Sequence, residues 1–258
     1  MTGTGTNAGS GRAAGSGRAA GSDRAAGSGR AAGSGRAAGP LTGADGGAAG
    51  HERVRRSYDV VAEEYRARIG DELDGKPLDR ALLGAFAEEA GEGAVIADLG
   101  CGPGHVAAWL AGRGRAVVGV DLSPAMVEIG RRQYPELEFR EGDLLRLPAG
   151  DGEFDAAVAL YSLIHLAPGE LAPALAEARR VLRPGGRLLV AFHIGAEVRS
   201  LTEWWGHDVD VDFHFLEPAA VSAALAEAGF RVRAELQRAP YAHEAETRRA
   251  YLLAERVD

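Results

Sequence analysis

The chain has 258 residues, 46% of them apolar, and a formal charge of −8, a composition that suits a globular chain with one sizeable core. The acidic balance argues against generic nucleic-acid binding, which rests on neutralising phosphates with basic side chains. One cysteine, Cys101, excludes an intrachain disulfide, and no run approaches the roughly 18 apolar residues of a membrane span, so a cytoplasmic location without membrane attachment is expected.

From Gly9 to Gly39 the chain repeats GSGRAA or near copies of it, with Arg12, Arg18, Arg24, Arg30 and Arg36 recurring every six residues. Such a segment has almost nothing to bury, and ordering it would cost entropy without return. Residues 1–50 are therefore expected to form a disordered tail and 51–258 a single domain. For the repeat, an arginine-studded arm for an acidic partner is the alternative, as is a true start further downstream.

Val54, Tyr58, Val61, Tyr65 and Ile69 share one face of a helix. A second helix is predicted over 78–90, with Leu78, Leu82 and Phe86 aligned. The period then changes to that of short apolar strands, at 94–98, 116–121, 137–143, 154–162 and 187–193. Helices fit between them. One covers 105–113. One covers 124–133, with Ser123 as N-cap and Pro124 at its first position. A third covers 170–182, stopped by RPGG. An irregular stretch is expected at 194–216, a helix over 218–228 ended by Gly229, and two neighbouring strands near 230–237 and 250–256. Strands alternating with helices predict an α/β chain whose parallel sheet is covered on both faces.

In such sheets ligands sit at the carboxyl ends of the strands, where strand order reverses. Gly100, Gly102 and Gly104 occupy that place after the first strand, and Asp121 ends the second, 21 residues after Gly100. Glycine lets the chain turn tightly and lets a ligand approach the backbone. A carboxylate at the second strand's end can accept hydrogen bonds from ribose hydroxyls. An NAD-dependent oxidoreductase would share both features. Its third glycine, however, should fall at 105, which is His105. Asp98 would repel a pyrophosphate at this turn, yet would suit an ammonium or sulfonium. A cationic, phosphate-free cofactor fits better.

At this point the sequence resembles the class I S-adenosylmethionine-dependent methyltransferases. The resemblance rests on five motifs in order: DLGCGPG (98–104), GVDLSPAMVEIGRR (119–132), EGDLLRLP (141–148), FDAAVALYSLIHL (154–166) and RVLRPGGRLLVAF (180–192). It implies a Rossmann-like doubly wound, mostly parallel seven-stranded sheet with an antiparallel edge strand. It also implies S-adenosyl-L-methionine as cofactor. The backbone of Gly100, Gly102 and Gly104 would line its methionine part, with Asp98 near the ammonium. Asp121 would hold the ribose hydroxyls. Leu122 and Met126 would pack on the adenine, and Asp143 would bond the adenine amino group beside Leu144. Tyr58 and Tyr65 lie in a segment like the N-terminal cap of many family members, where such tyrosines approach the cofactor; simple packing of the helix face is the alternative.

Methyl transfer from a sulfonium is a direct displacement, so the protein mainly aligns the acceptor. A hydroxyl acceptor usually needs a base, and His165 and His193, beyond the fourth and fifth strands, are the candidates. For each, a histidine satisfied by backbone hydrogen bonds is the favoured reading. Trp204, Trp205, Phe213 and Phe215 suit an apolar or ring-bearing acceptor, and are equally readable as the core of a hairpin. The spacing of His193, Glu197, His207 and Asp208 matches no metal site. The place after the fourth strand reads LYSLIH, not the NPPY-like run expected of a nucleic-acid amino-methylating enzyme. A small-molecule acceptor is therefore expected. A non-catalytic module that binds S-adenosylmethionine is the competing reading.

Overall fold

The computed structural model describes residues 47–258, so the tail expected over 1–50 lies outside the described residues except for its last four. The first helix, α1 (Ala48–Ile69), begins three residues ahead of the expected boundary at 51. A single 3-10 turn (Glu72–Gly75) leads into α2 (Pro77–Ala90). Then come β1 (Val95–Leu99), α3 (His105–Ala111), β2 (Ala116–Asp121), α4 (Pro124–Gln133), β3 (Glu138–Glu141) and β4 (Phe154–Leu160). The chain continues through α5 (Leu171–Val181), β5 (Leu182–His193), β6 (Val198–Trp204), β7 (His207–His214), α6 (Pro218–Glu227), β8 (Phe230–Arg238) and β9 (Arg249–Arg256).

Seven strands form one sheet in the order β3-β2-β1-β4-β5-β9-β8. The first five pair in parallel. β9 runs antiparallel to both β5 and β8, so the outermost strand joins the sheet through an antiparallel pair, as the resemblance implied. Strand order reverses between β2 and β4 on either side of β1, which fixes the ligand position at the ends of those strands. The parallel strands are buried on both faces, which is why they read as continuous apolar runs. Leu175, Leu188, Phe192 and Leu225 fill the core under α5 and α6, and Leu83, Phe86, Ile96 and Leu110 fill the core under α2 and α3.

Local signals place the helices. Ser123 caps α4, its Oγ accepting from the Met126 N–H at 3.1 Å. Gly104, with φ +87°, turns the chain into α3. Helix α5 ends at Val181 and Leu182 already belongs to β5, where Gly185 and Gly186 fall in a register shift against β4.

The stretch expected to be irregular, 194–216, contains instead a separate two-stranded hairpin of β6 and β7. Its turn is Trp205-Gly206, with φ of 53° and 85°. Two successive positive φ values are what a two-residue hairpin loop needs. Along β7, Val209 and Val211 point inward and form a small core with Val61 of α1. The apolar face of α1 thus covers the hairpin on one side and Met126 and Ile129 of α4 on another.

Candidate active site

A cavity of about 1110 Å³ opens at the carboxyl ends of β1, β2, β4 and β5. Its floor is the glycine turn after β1. The N–H groups of Gly100 and Cys101 both donate to Val120 O, at 2.7 and 3.0 Å, which folds the turn back on β2. Gly100 has φ +76°, and a Cβ there would lie 2.3 Å from Ser162 Cβ. No other residue fits this position.

Two carboxylates flank the turn. Asp121 Oδ2 accepts from Gly102 N–H at 2.7 Å and Oδ1 from Ser123 N–H at 2.9 Å. Burial pushes its carboxyl up to about 6, against the lowering effect of those two bonds. Asp98 is buried, and its Oδ2 has no hydrogen-bond partner. Burial, assisted by the charge of Asp121 and opposed by His105, pushes it up to about 7. A buried carboxylate oxygen without a partner is costly unless a cation or donor arrives to meet it.

Leu122, Asp143 and Leu144 line the same part of the cavity. Asp143 is already engaged: Oδ1 accepts from Leu145 N–H at 2.8 Å, and Oδ2 lies 2.6 Å from His51 Nδ1. His51 also reaches Glu170 Oε2, at 3.1 Å. Burial alone would lower the pKa of His51, but the two carboxylates outweigh it and raise it.

Two residues expected on the cofactor do not line the cavity. Met126 is fully buried between α4 and α1, against Ala62 and Ile129. Helix α1 lies across α4 and takes the side chain that would otherwise have faced a ligand. Gly104 faces away from the cavity; a Cβ there would meet the Phe139 ring at 2.6 Å. It lets the turn ahead of α3 lie against the rings of Phe139 and Tyr134.

Helix α1 and the hairpin form the roof. Tyr58 lines the cavity, and its OH donates to His165 Nε2 at 2.7 Å. His165 Nδ1 donates to the Asp212 carbonyl at 3.1 Å. Both ring nitrogens are spent, and burial pulls the imidazole down to about 4. His165 is therefore a neutral tie between roof and floor. Tyr58 and Tyr65 meet Trp204 edge to face at 5.5 and 5.9 Å. Trp204, Trp205, Phe213 and Phe215 all reach the cavity, so the four aromatics are brought together there. His193 lines the opposite end, with Nδ1 2.8 Å from Thr247 Oγ1.

That opposite end is polar in a way the sequence did not announce. Lys76, the chain's single lysine, is buried there between Glu72 at 2.5 Å and Glu244 at 3.4 Å. Arg238 binds Glu244 with two nitrogens, at 2.6 and 2.9 Å, and Asp79 at 3.0 Å. Tyr251 OH donates to Asp79 at 2.6 Å. Tyr161, with φ 59°, and Arg249 complete the wall. These residues come from the 3-10 turn and the start of α2, the end of β4, and β8, β9 and the loop between them, and only the fold collects them. Among the described residues no group of His, Cys, Asp and Glu could hold a metal ion, and no helix is long and apolar enough to cross a membrane.

Comparison with known proteins points the same way. A methyltransferase domain family matches residues 96–186. A demethylmenaquinone methyltransferase of Beutenbergia cavernae is 44% identical over 142 residues, covering 54% of this chain and 57% of the relative. One from Thermus thermophilus is 36% identical over 169 residues, covering 55% of this chain and 76% of the relative. The chain thus spans from about a third to three quarters of the length of the curated relatives it matches, and little more than half in the Beutenbergia case. Among solved structures, the 1,6-didemethyltoxoflavin-N1-methyltransferase of Burkholderia thailandensis superimposes with a TM-score of 0.65 at 21% identity, over 86% of this chain and 93% of that one. With the seven-stranded sheet, the glycine turn and these matches in place, the chain belongs to the S-adenosylmethionine-dependent methyltransferase family.

Proposed function

We propose that the protein transfers a methyl group from S-adenosylmethionine to a small-molecule acceptor. The observation that carries this is Asp98. Its unpartnered, buried oxygen sits beside the glycine turn and asks for a cation, which suits the cofactor's ammonium and would repel a pyrophosphate. Gly100 and Gly102 offer backbone free of Cβ atoms along the methionine part, Asp121 can accept from ribose hydroxyls, and Leu122 and Leu144 supply apolar contact for the adenine. Asp143 keeps one face for the adenine amino group while His51 holds it in place. The relatives' names, demethylmenaquinone and toxoflavin methyltransferases among them, speak for a ring-bearing small molecule as acceptor. The aromatic roof agrees with that.

When bound, S-adenosylmethionine supplies an activated methyl group and its own leaving group; the chain's share is to orient the acceptor and exclude water. Of the two candidate bases, His165 has both nitrogens engaged. Only His193 keeps a ring nitrogen without a partner among the described residues.

The test is thermal unfolding of the full chain with S-adenosylmethionine, S-adenosylhomocysteine, NAD or buffer. A ligand at about 100 times its Kd adds about 2.7 kcal/mol, which at about 2–4 °C per kcal/mol is a rise of several degrees. The rise should appear with the two adenosyl sulfur compounds only and disappear in Asp121→Ala. A rise with NAD, or none with either sulfur compound, refutes the reading. Methyl turnover in an acceptor screen then separates an enzyme from a module that merely binds the cofactor.

A further inference from the structure

His193 ends β5 and Arg249 opens β9, and the two are directly opposed in the antiparallel register. Directly opposed residues send their side chains from the same face of a sheet. Both line the cavity, at the end away from Leu122 and Leu144. The His193 ring is flanked by Tyr161 and Phe215, with centroids 5.1 and 5.3 Å away, so its orientation is fixed. Thr247 Oγ1 lies 2.8 Å from Nδ1 and has no other side-chain partner among the described residues. The arrangement that uses the hydroxyl proton has Thr247 donating to Nδ1. The ring's own proton then sits on Nε2.

Arg249 is 3% exposed, yet its donors are only partly used. Nη1 donates to the carbonyls of Thr247 and Ala245, at 2.6 and 3.3 Å. Nε lies 3.3 Å from Glu244 Oε1 but outside hydrogen-bond geometry and is buried without a partner; among the described residues the side-chain hydrogen bonds of Arg249 are made by Nη1, which leaves Nη2 uncommitted. Glu244 already receives both terminal nitrogens of Arg238. A buried guanidinium with unspent donors on a cavity wall calls for an acceptor from outside the chain.

The charged groups that weigh most on His193 are Arg249, Lys76 and Arg199, with Glu244 against them; Lys76 is paired with Glu72 at 2.5 Å and Arg199 with Glu197 at 2.9 Å, which leaves Arg249 as the cation with donors to spare. Burial first, and these cations second, hold the imidazole down at about 3. It stays neutral over the working pH range. The field that refuses a second proton on this ring favours an anion beside it.

We propose that this end of the cavity binds the methyl acceptor as an oxyanion, the deprotonated form of an acidic hydroxyl on a planar ring, a phenol or enol, with His193 Nε2–H and Arg249 Nη2 donating to its oxygen. The proposal rests on the methyl-transfer reading and gives His193 the role of donor in place of base. A carboxylate fits less well. It favours a two-nitrogen guanidinium fork, and the one open fork of Arg249, Nε with Nη2, has Glu244 Oε1 3.3 Å from Nε, where a second carboxylate would be repelled. The acceptor releases its proton to solvent on binding. Its oxygen then forms the bond to the methyl carbon while the carbon–sulfur bond breaks and its electron pair stays on sulfur, so the balance needs no further reactant.

The probe is 4-nitrophenol, which is yellow only as the anion, titrated into the full chain saturated with S-adenosylhomocysteine. The bound phenol should ionise at least about one pH unit below the free phenol, equivalent to about tenfold tighter binding of the anion. Arg249→Gln should abolish the shift. His193→Phe, which keeps the stack and removes the donor, should shrink it, and carries the test if the buried Arg249 variant fails to fold. A retained thermal rise with S-adenosylhomocysteine certifies that the variant is folded. An unshifted or upward ionisation, or no phenolate binding by a protein that does bind S-adenosylhomocysteine, overturns the oxyanion site and leaves the methyl-transfer reading standing. Failure to bind S-adenosylhomocysteine at all overturns both.

Discussion

Asp98→Asn should make the ligand-free protein more stable at pH 8 while removing its response to S-adenosylhomocysteine. The magnitude follows from the carboxyl's surroundings. An unfolded chain releases this proton near 3.8, whereas the folded chain keeps it up to about 7, chiefly because of burial. Between those values the folded state holds more protons than the unfolded state, so stability falls as pH rises from about 4 to about 7 and stays low above that. About three pKa units at 1.36 kcal/mol each put the cost near 4 kcal/mol at pH 8. Asparagine carries no charge but leaves a buried N–H donor where Oδ2 has no partner, which takes back about 1–3 kcal/mol. The net gain is about 1–3 kcal/mol, or several degrees in Tm at about 2–4 °C per kcal/mol. At pH 5, where Asp98 holds its proton, the gain should all but vanish. The assay is thermal unfolding of parent and variant at pH 5 and 8, with and without S-adenosylhomocysteine. Equal stability at pH 8, or the same gain at both pH values, would show that burial does not hold this proton and would sink the argument.

Two further outcomes test the floor and the roof separately. Gly100→Ala forces a positive φ on alanine, worth about 1–2 kcal/mol, and drives its Cβ into Ser162; it should lower Tm and abolish the ligand response, and adding Ser162→Gly should restore only part of the Tm, whereas full restoration would mean that backbone conformation is unimportant there. Tyr58→Phe leaves the buried His165 Nε2 without its donor and should cost about 1–3 kcal/mol in urea unfolding, and an unchanged midpoint would remove this contact from the forces that hold the roof.

The sheet was legible because parallel interior strands leave an unambiguous trace, short apolar runs bounded by glycine and separated by amphipathic helices. The floor of the site was legible for a related reason: DLGCGPG and the aspartate ending β2 are local in sequence and local in space. What escaped notice depends on contacts between distant segments. Met126 reads as a ligand contact until α1 is seen lying across α4. Arg249 and His193 meet only through the β5–β9 register, 56 residues apart in the chain. Lys76 is the single lysine of an arginine-rich chain, a signal in itself, but its partners Glu72 and Glu244 meet it only in the fold. The hairpin had a visible trace as well. In HDVDVDFHF, Val209, Val211, Phe213 and Phe215 alternate strictly with polar residues, and the Trp205-Gly206 turn precedes them. A period of two predicts a half-buried strand, here buried against a helix rather than within the main sheet.

The cavity's floor and roof belong to different hydrogen-bond ladders. β6 and β7 pair only with each other, and no strand of the seven depends on them for its register. The family match at 96–186 spans the floor and ends before the hairpin begins. Selection can therefore rewrite the hairpin, lengthening it or exchanging its tryptophans, without disturbing the turn that would grip the cofactor. In evolutionary terms the segment 194–216 is an exchangeable cassette: a lineage could reshape the roof by replacing some twenty residues, with matching changes on the α1 face and at His165 that meet them, while inheriting the seven-stranded sheet unchanged.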